Sequence, residues 1–344
     1  MNATFFKHRL IFKQPSGTSR GVLIHKDTWL IELEDNGLKG VGECGMFKGL
    51  SIDHRDDFEL KLKWACQNIY LGLEALLGQL IAFPSIQFGL EMAFTSLNQK
   101  SPFELFPSDF TRGQGSIPIN GLIWMGESSF MKKQIKVKLK AGFSCIKLKI
   151  GALHFDKELA LLKSIRDEFS AQTIEIRVDA NGAFNPIEAL EKLKRLSDFN
   201  IHSIEQPIKQ GQLQEMAQLC LDTPLPIALD EELIGVFNVT NKQFLLQTIK
   251  PQYIILKPTL LGGFRGSQDW IDVAKSNNIG YWVTSALESN VGLNAISQWT
   301  YTLKNSLPQG LGTGGLFTNN IQSPLLVNSG RLFYDLKTKW NLKF

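Results

Sequence analysis

The chain has 344 residues, 43% hydrophobic and 20% charged, with a formal net charge of +4. That composition suits a globular protein with one large domain and a smaller one. The basic residues are scattered, which argues against nucleic acid as a partner, and no run approaches the ~18 apolar residues of a membrane span.

The opening "MNATFFKHRLIFKQ" lacks the sustained apolar core of a secretion signal. Cys44, Cys66, Cys145 and Cys220 form no metal or redox motif. Both features point to a reducing cytoplasm. The histidines are dispersed without ligand spacing, so histidine chemistry is not expected.

The first elements read as strands. "FKHRLIFK" is followed by "GVLIHKDTWLIELEDNGLKGVGECG", in which Asp35-Asn36-Gly37 marks a hairpin turn. Helical periodicity covers roughly 56–80, and "FPSIQFGLEMAFTSL" starts a second helical run at Pro84 and Ser85. Residues 1–115 are thus expected to form an α+β unit.

The character then changes. Short apolar runs recur at 116–124, 145–150, 174–180, 201–207, 226–231, 253–258, 281–288 and 308–314, separated by helical stretches such as "FDKELALLKSIRDEF". Strand and helix alternating at this pitch predict βαβ units with a parallel sheet. Eight strands suggest a closed (β/α) barrel, although an open doubly wound sheet has the same alternation. The tail from about 320, with "GRLFYDLKTKW", is strand-like and is expected to return to the first unit.

In "CIKLKIG", strand alternation puts Lys147 and Lys149 on one face. On an exposed edge strand that would be unremarkable. In a barrel, helices cover the outside, so both lysines face the interior and need anionic partners. The other strand ends supply them: Asp179 in "RVDANG", Glu205 in "SIEQP" and Asp230 in "ALDEE", with Lys257 in "ILKP" and Ser285 and Glu288 in "TSALES". Barrel active sites lie at this C-terminal rim. Three carboxylates converging there suit Mg²⁺, and alternation selects Asp230 over Glu231 as the third. Lysines on the second and sixth strands flank the site from opposite sides. Such a site suits proton abstraction beside a carboxylate, with a cation stabilising the enediolate and nearby positive charge lowering the pKa of a lysine base. The glycines of "GLGTGG" (310–315) form either a plain loop or a set of backbone N–H donors for a substrate carboxylate.

With these residues in this order, the sequence resembles the enolase superfamily, in its muconate-lactonizing subgroup, over nearly the whole chain. The resemblance implies an α/β fold: a modified (β/α)7β TIM-type barrel (116–319) with an α+β capping domain (1–115, joined by about 320–344). It implies that Lys149 is the base, Lys257 the opposite lysine and Lys147 an accessory lysine. Asp179, Glu205 and Asp230 would hold Mg²⁺, with Mn²⁺ as a substitute, and Asn181 would support the site. Phe47, in "GECGMFKGLS", would belong to a mobile loop that closes over substrate. Ser285, Glu288, Gly312, Thr313 and Gly314 complete the expected substrate contacts.

Within the subgroup the runs "PSIQFGLEMA", "RVDANGAF", "LKPTLLGG" and "SALESNVGL" are most similar to members that eliminate water from a cyclohexadiene carboxylate in menaquinone biosynthesis. Racemases of N-succinylamino acids and dipeptide epimerases are the rivals. The epimerases typically carry Asp-x-Asp where this chain has "GLGTGG". A non-catalytic barrel has no reason to bury lysines opposite carboxylates. The expected partner is a small-molecule carboxylate substrate, with no nucleic acid and no membrane, and the oligomeric state is left open.

Overall fold

The computed structural model describes residues 1–18, 21–99, 101–124 and 126–342. Strands Asn2–Thr18, Gly21–Asp35 and Leu38–Cys44 form an antiparallel sheet in chain order. At the predicted hairpin turn Asn36 and Gly37 both take positive φ, 50° and 80°, as a tight two-residue turn of matching twist requires. Trp29, Ile31 and Leu33 alternate toward one face and pack with the helix Pro84–Leu97. Strand and helix backbones nearly touch: a Cβ on Gly42 would lie 1.9 Å from the Gly89 carbonyl oxygen. The helical region before it is divided into Phe58–Gln67 and Gly72–Gln79, with Gly72 at φ 79° in the break.

Seven parallel strands follow, each paired with its chain neighbours: Gly121–Ile123, Cys145–Lys149, Glu175–Asp179, Ser203–Glu205, Ile227–Leu229, Tyr253–Leu256 and Gly280–Val283. Helices separate them, from Ser128–Lys140 to Gly263–Ser276, and Asn290–Thr302 follows the last. The ring closes through two residues. Gln309 bridges to Ile119 and Gly310 bridges to Thr284, both parallel. The fold is the expected modified (β/α)7β TIM-type barrel with a separate sheet unit.

Two strands differ from expectation. The eighth is reduced to Gln309 and Gly310. The first is interrupted: Ser116–Pro118 pairs with the tail strand Arg331–Tyr334, and Gly121–Ile123 pairs with the second barrel strand. Pro118 has no N–H to donate, and its carbonyl accepts from Gln309 N at 2.8 Å. Near the tail, Phe317 packs on Phe12 with ring centroids 4.7 Å apart, and Thr318 N donates to the Ile11 carbonyl.

Strand alternation divides the apolar residues. Ile146, Leu148, Ile176, Val178 and Ile204 face the helices in the main core. Ala228, Ile255 and Trp282 form a separate small cluster with Tyr253 and Leu307. The Arg177 guanidinium lies over the Trp282 ring at 4.1 Å and pairs with Glu175 at 2.7 Å. The inward face is therefore polar and aromatic, and the second strand's lysines continue it. Among the described residues, no helix is long and apolar enough to cross a membrane.

Candidate active site

Register places Lys149, Asp179 and Glu205 side by side on adjacent strands. Asp230 and Lys257 each follow the last residue of their strand. Asp179 is fully buried, and Glu205 and Asp230 are nearly so.

The charged side chains alternate in sign. The Lys147 ammonium stands 2.8 Å from Asp179 and also donates to Glu205. The Lys257 ammonium donates to Asp230 and lies 4.0 Å from Glu205. Lys149 reaches Asp179 at 2.5 Å and Asn181 Oδ1 at 2.7 Å. The sequence Asp179–Lys147–Glu205–Lys257–Asp230 thus runs carboxylate, ammonium, carboxylate, ammonium, carboxylate. This supplies the anionic partners that buried lysines need.

The same arrangement sets the titration of these groups. Burial works to neutralise Lys147, but Asp179, Glu205 and Asp230 outweigh it and hold its pKa above the ordinary lysine value. Lys257 is likewise held up: burial opposes its charge, and Asp230 and Glu205 overcome that. Asp179 is pulled below the ordinary carboxylate range, since Lys147 and Lys149 outweigh its burial. Glu205 is pushed well above that range by burial and by Asp179, despite Lys147.

Among the described residues, no three carboxylate, imidazole or thiol groups are arranged as a ready-made metal shell. The three carboxylates stand at neighbouring strand ends with the Lys147 and Lys257 ammonium groups between them. The donor chemistry nonetheless fits a divalent cation. The three groups are hard oxygen donors at neighbouring strand ends, and Glu205 Oε1 is buried without a hydrogen-bond partner among the described residues.

A cavity opens above this series. Lys147, Lys149 and Asn181 line one side, and Lys257 the other. Phe47 and Leu50 come from the N-terminal unit, and Ser285, Gly312 and Thr313 form part of the wall. Glu288 and Gly314 do not line it. Glu288 is fully buried behind Ser285, accepting from the hydroxyls of Ser285 at 2.5 Å and of Thr259. A Cβ on Gly314 would point at Asn290 Oδ1 instead.

Sequence reasoning passed over Glu231, which lines the cavity and accepts from Asn181 Nδ2 at 3.0 Å. The strand ends at Leu229, and residues Glu231–Leu233 form a short 3-10 turn, so alternation no longer applies there. Asn120, Leu122 and Trp124 also line the cavity from the first strand. The strand pattern alone would have pointed to alternate residues of "INGLIW". Asn181 occupies the left-handed region at φ 45°, where its N–H reaches Asp179 Oδ1 at 3.0 Å while its side chain holds Lys149.

The chain matches the family described as Enolase C-terminal domain-like over residues 131–333. An o-succinylbenzoate synthase from Desulfotalea psychrophila is 48% identical over 96% of this chain and 98% of that protein. The crystal structure of MenC from Desulfotalea psychrophila superposes with a TM-score of 0.87 at 45% identity, covering 97% of this chain and 99% of that one. A dipeptide epimerase from Enterococcus faecalis, complexed with Mg and the dipeptide L-Leu-L-Tyr, superposes at 0.82 with 19% identity over 96% of both chains, a likeness of fold alone.

Proposed function

The chain belongs to the Enolase C-terminal domain-like family and is an enzyme of the enolase superfamily; on that premise we propose that it acts as an o-succinylbenzoate synthase. The reaction is dehydration of the cyclohexadiene carboxylate SHCHC to o-succinylbenzoate in menaquinone biosynthesis. One observation carries the reading: lysines from the second and sixth strands face one cavity above three buried carboxylates. The near full-length likeness to an o-succinylbenzoate synthase supports it.

Asp179, Glu205 and Asp230 would hold Mg²⁺, with Mn²⁺ able to replace it. When bound, the cation supplies positive charge against the substrate carboxylate and the developing enediolate. The remaining work falls to the chain's own side chains. Lys149 Nζ removes the proton alpha to the carboxylate. As the enediolate collapses, its electron pair forms the new C=C bond and the C–O bond breaks. Lys149 then returns its proton to the departing hydroxide on the same face, so one water leaves. Asn181 Oδ1 orients Lys149 through the 2.7 Å contact. Lys257, across the cavity from Lys149, stabilises the enediolate as a cation. Phe47 and Leu50 exclude water from above. Backbone N–H groups near Gly312 and Thr313 meet the substrate's second carboxylate.

The same pair of lysines favours a second reading, racemisation of N-succinylamino acids, in which Lys149 and Lys257 exchange protons on opposite faces. Paired assays with Mg²⁺ separate the two. SHCHC is followed by loss of its diene absorbance, and N-succinylamino acids by optical rotation. Fast dehydration with negligible racemisation is expected. Fast racemisation with slow dehydration would replace the first reading with the second.

A further inference from the structure

Two buried carboxyl groups of the N-terminal unit reach across to the barrel in the same way. Glu91, on the helix Pro84–Leu97, accepts from the N–H groups of Phe264 at 2.5 Å and Arg265 at 3.4 Å, at the start of helix Gly263–Ser276. Glu43, on strand Leu38–Cys44, accepts from the N–H groups of Ser289 and Gly292, both at 2.8 Å, and from the Ser289 hydroxyl at 2.5 Å. These donors begin the helix Asn290–Thr302, which follows the seventh barrel strand. The Thr28 hydroxyl adds another bond to Glu43 at 2.7 Å. A helix start leaves N–H groups without intrahelical partners and carries partial positive charge, so a carboxylate there is held strongly.

The two contacts differ in what lies next to them. Glu91 sits within a helix away from the cavity. Glu43 lies two residues before Gly45, where the chain enters the turn that carries Phe47 and Leu50 over the cavity. The stem between them has little slack. A Cβ on Gly45 would stand 3.3 Å from Glu288 Cγ, 3.4 Å from Lys26 Nζ and 3.4 Å from Thr259 Cγ2. The buried Lys26 ammonium has no hydrogen-bond partner among the described residues and lies in the field of Glu43 and Glu288. The turn itself is internally tied: Phe47 N donates to Ser51 Oγ at 2.8 Å, and Ser51 N donates to the Phe47 carbonyl at 2.9 Å. A tied turn on a short stem moves as one body, and its position is set where the stem is anchored.

We propose that Glu43 is a positioning residue: by capping the helix that follows the seventh barrel strand, it anchors the stem of the 45–51 turn and sets how closely Phe47 and Leu50 stand over the cavity. It touches no reacting atom. Its effect on substrate rests on the proposed dehydration, whereas its effect on the turn does not.

Glu43→Gln keeps the side chain's shape but replaces one acceptor oxygen with an NH₂ that cannot accept from Ser289 or Gly292. Backbone amide exchange across 45–51 is expected to rise about tenfold, in keeping with the loss of a strong cap. With SHCHC, KM is expected to rise about tenfold while kcat changes less than about threefold, the pattern of lost binding rather than lost chemistry. Glu91→Gln makes the same change at the other contact and should leave both readouts at wild-type values. If Glu43→Gln does not fold, Ser289→Ala removes one of the same bonds and should shift exchange in the same direction by a smaller amount. Unchanged exchange at 45–51 in these variants overturns the proposal, as does an equal rise in Glu91→Gln. A wild-type protein inactive on SHCHC would overturn the reaction, and the exchange result would still decide the role of Glu43.

Discussion

Lys147 and Lys149 are separated by one residue and share a strand face, yet the structure gives them different surroundings. Lys147 joins Asp179 to Glu205, contacting both carboxylates. Lys149 shares Asp179 with Lys147 and opens onto the cavity. Lys149→Ala is therefore expected to lower turnover by ~10³-fold, the scale of lost acid–base catalysis, with little change in the urea midpoint, because Asp179 keeps Lys147. Lys147→Ala leaves the buried Glu205 with Lys257 at 4.0 Å, while Asp179 keeps Lys149, and should cost about 3–5 kcal/mol of stability. Equal stability losses in the two variants would contradict this division. The strand-end residues were legible in the sequence because each closes a short apolar run recurring at a similar pitch. Glu231 and Glu288 were not, because alternation fails just beyond the strands. A 3-10 turn returns Glu231 to the cavity, while Leu287 at φ 62° helps turn Glu288 away from it.

Elements show the same contrast between regular and irregular parts. The barrel was legible from the repeat of strand and helix, since each strand must bury apolar residues against its helices. Its closure was less so. A strand of two residues has no periodicity to read, and "GLGTGG" looks uniform while its glycines stand in unlike places. A Cβ on Gly310 would lie 2.4 Å from Thr284 Oγ1 and 2.9 Å from Thr284 Cβ, at the seam where the ring closes. A Cβ on Gly315 would meet nothing within 4 Å. Thr284 is β-branched and cannot easily turn aside. Gly310→Ala should destabilise by about 1–3 kcal/mol, as overpacking does, while Gly315→Ala stays near neutral. Thermal melts of the two variants check this, and a neutral Gly310→Ala would mean that the seam yields.

At the scale of the whole molecule, the N-terminal unit and the barrel are joined partly through Glu91. Burial pushes the Glu91 carboxyl up to about 7, against the backbone N–H groups of Phe264 and Arg265. Its folded pKa exceeds the ordinary 4.5, so the folded chain binds more protons between those values. Stability from this group is greatest below the ordinary pKa and is lost as pH rises through about 7, by roughly 3 kcal/mol. The difference in melting temperature between wild type and Glu91→Gln should therefore shift against wild type from pH 5 to pH 8. A constant difference would show that Glu91 does not titrate in this range. The contact was not legible in the sequence, since "GLEMA" reads as an ordinary helical run and its partner lies more than a hundred residues away.

The alternating row from Asp179 to Asp230 has a consequence for handling the protein. A site with bare carboxylates would depend on its cation to hold the barrel together, and a chelator would unfold it. Here Lys147 and Lys257 stand between the carboxylates and offset their charge. Treatment with EDTA should abolish turnover yet move the melting temperature by no more than a few degrees, and added Mg²⁺ should restore activity without a refolding lag. On that outcome the barrel's cohesion would rest on its own lysines, and a divalent ion would be needed for turnover alone.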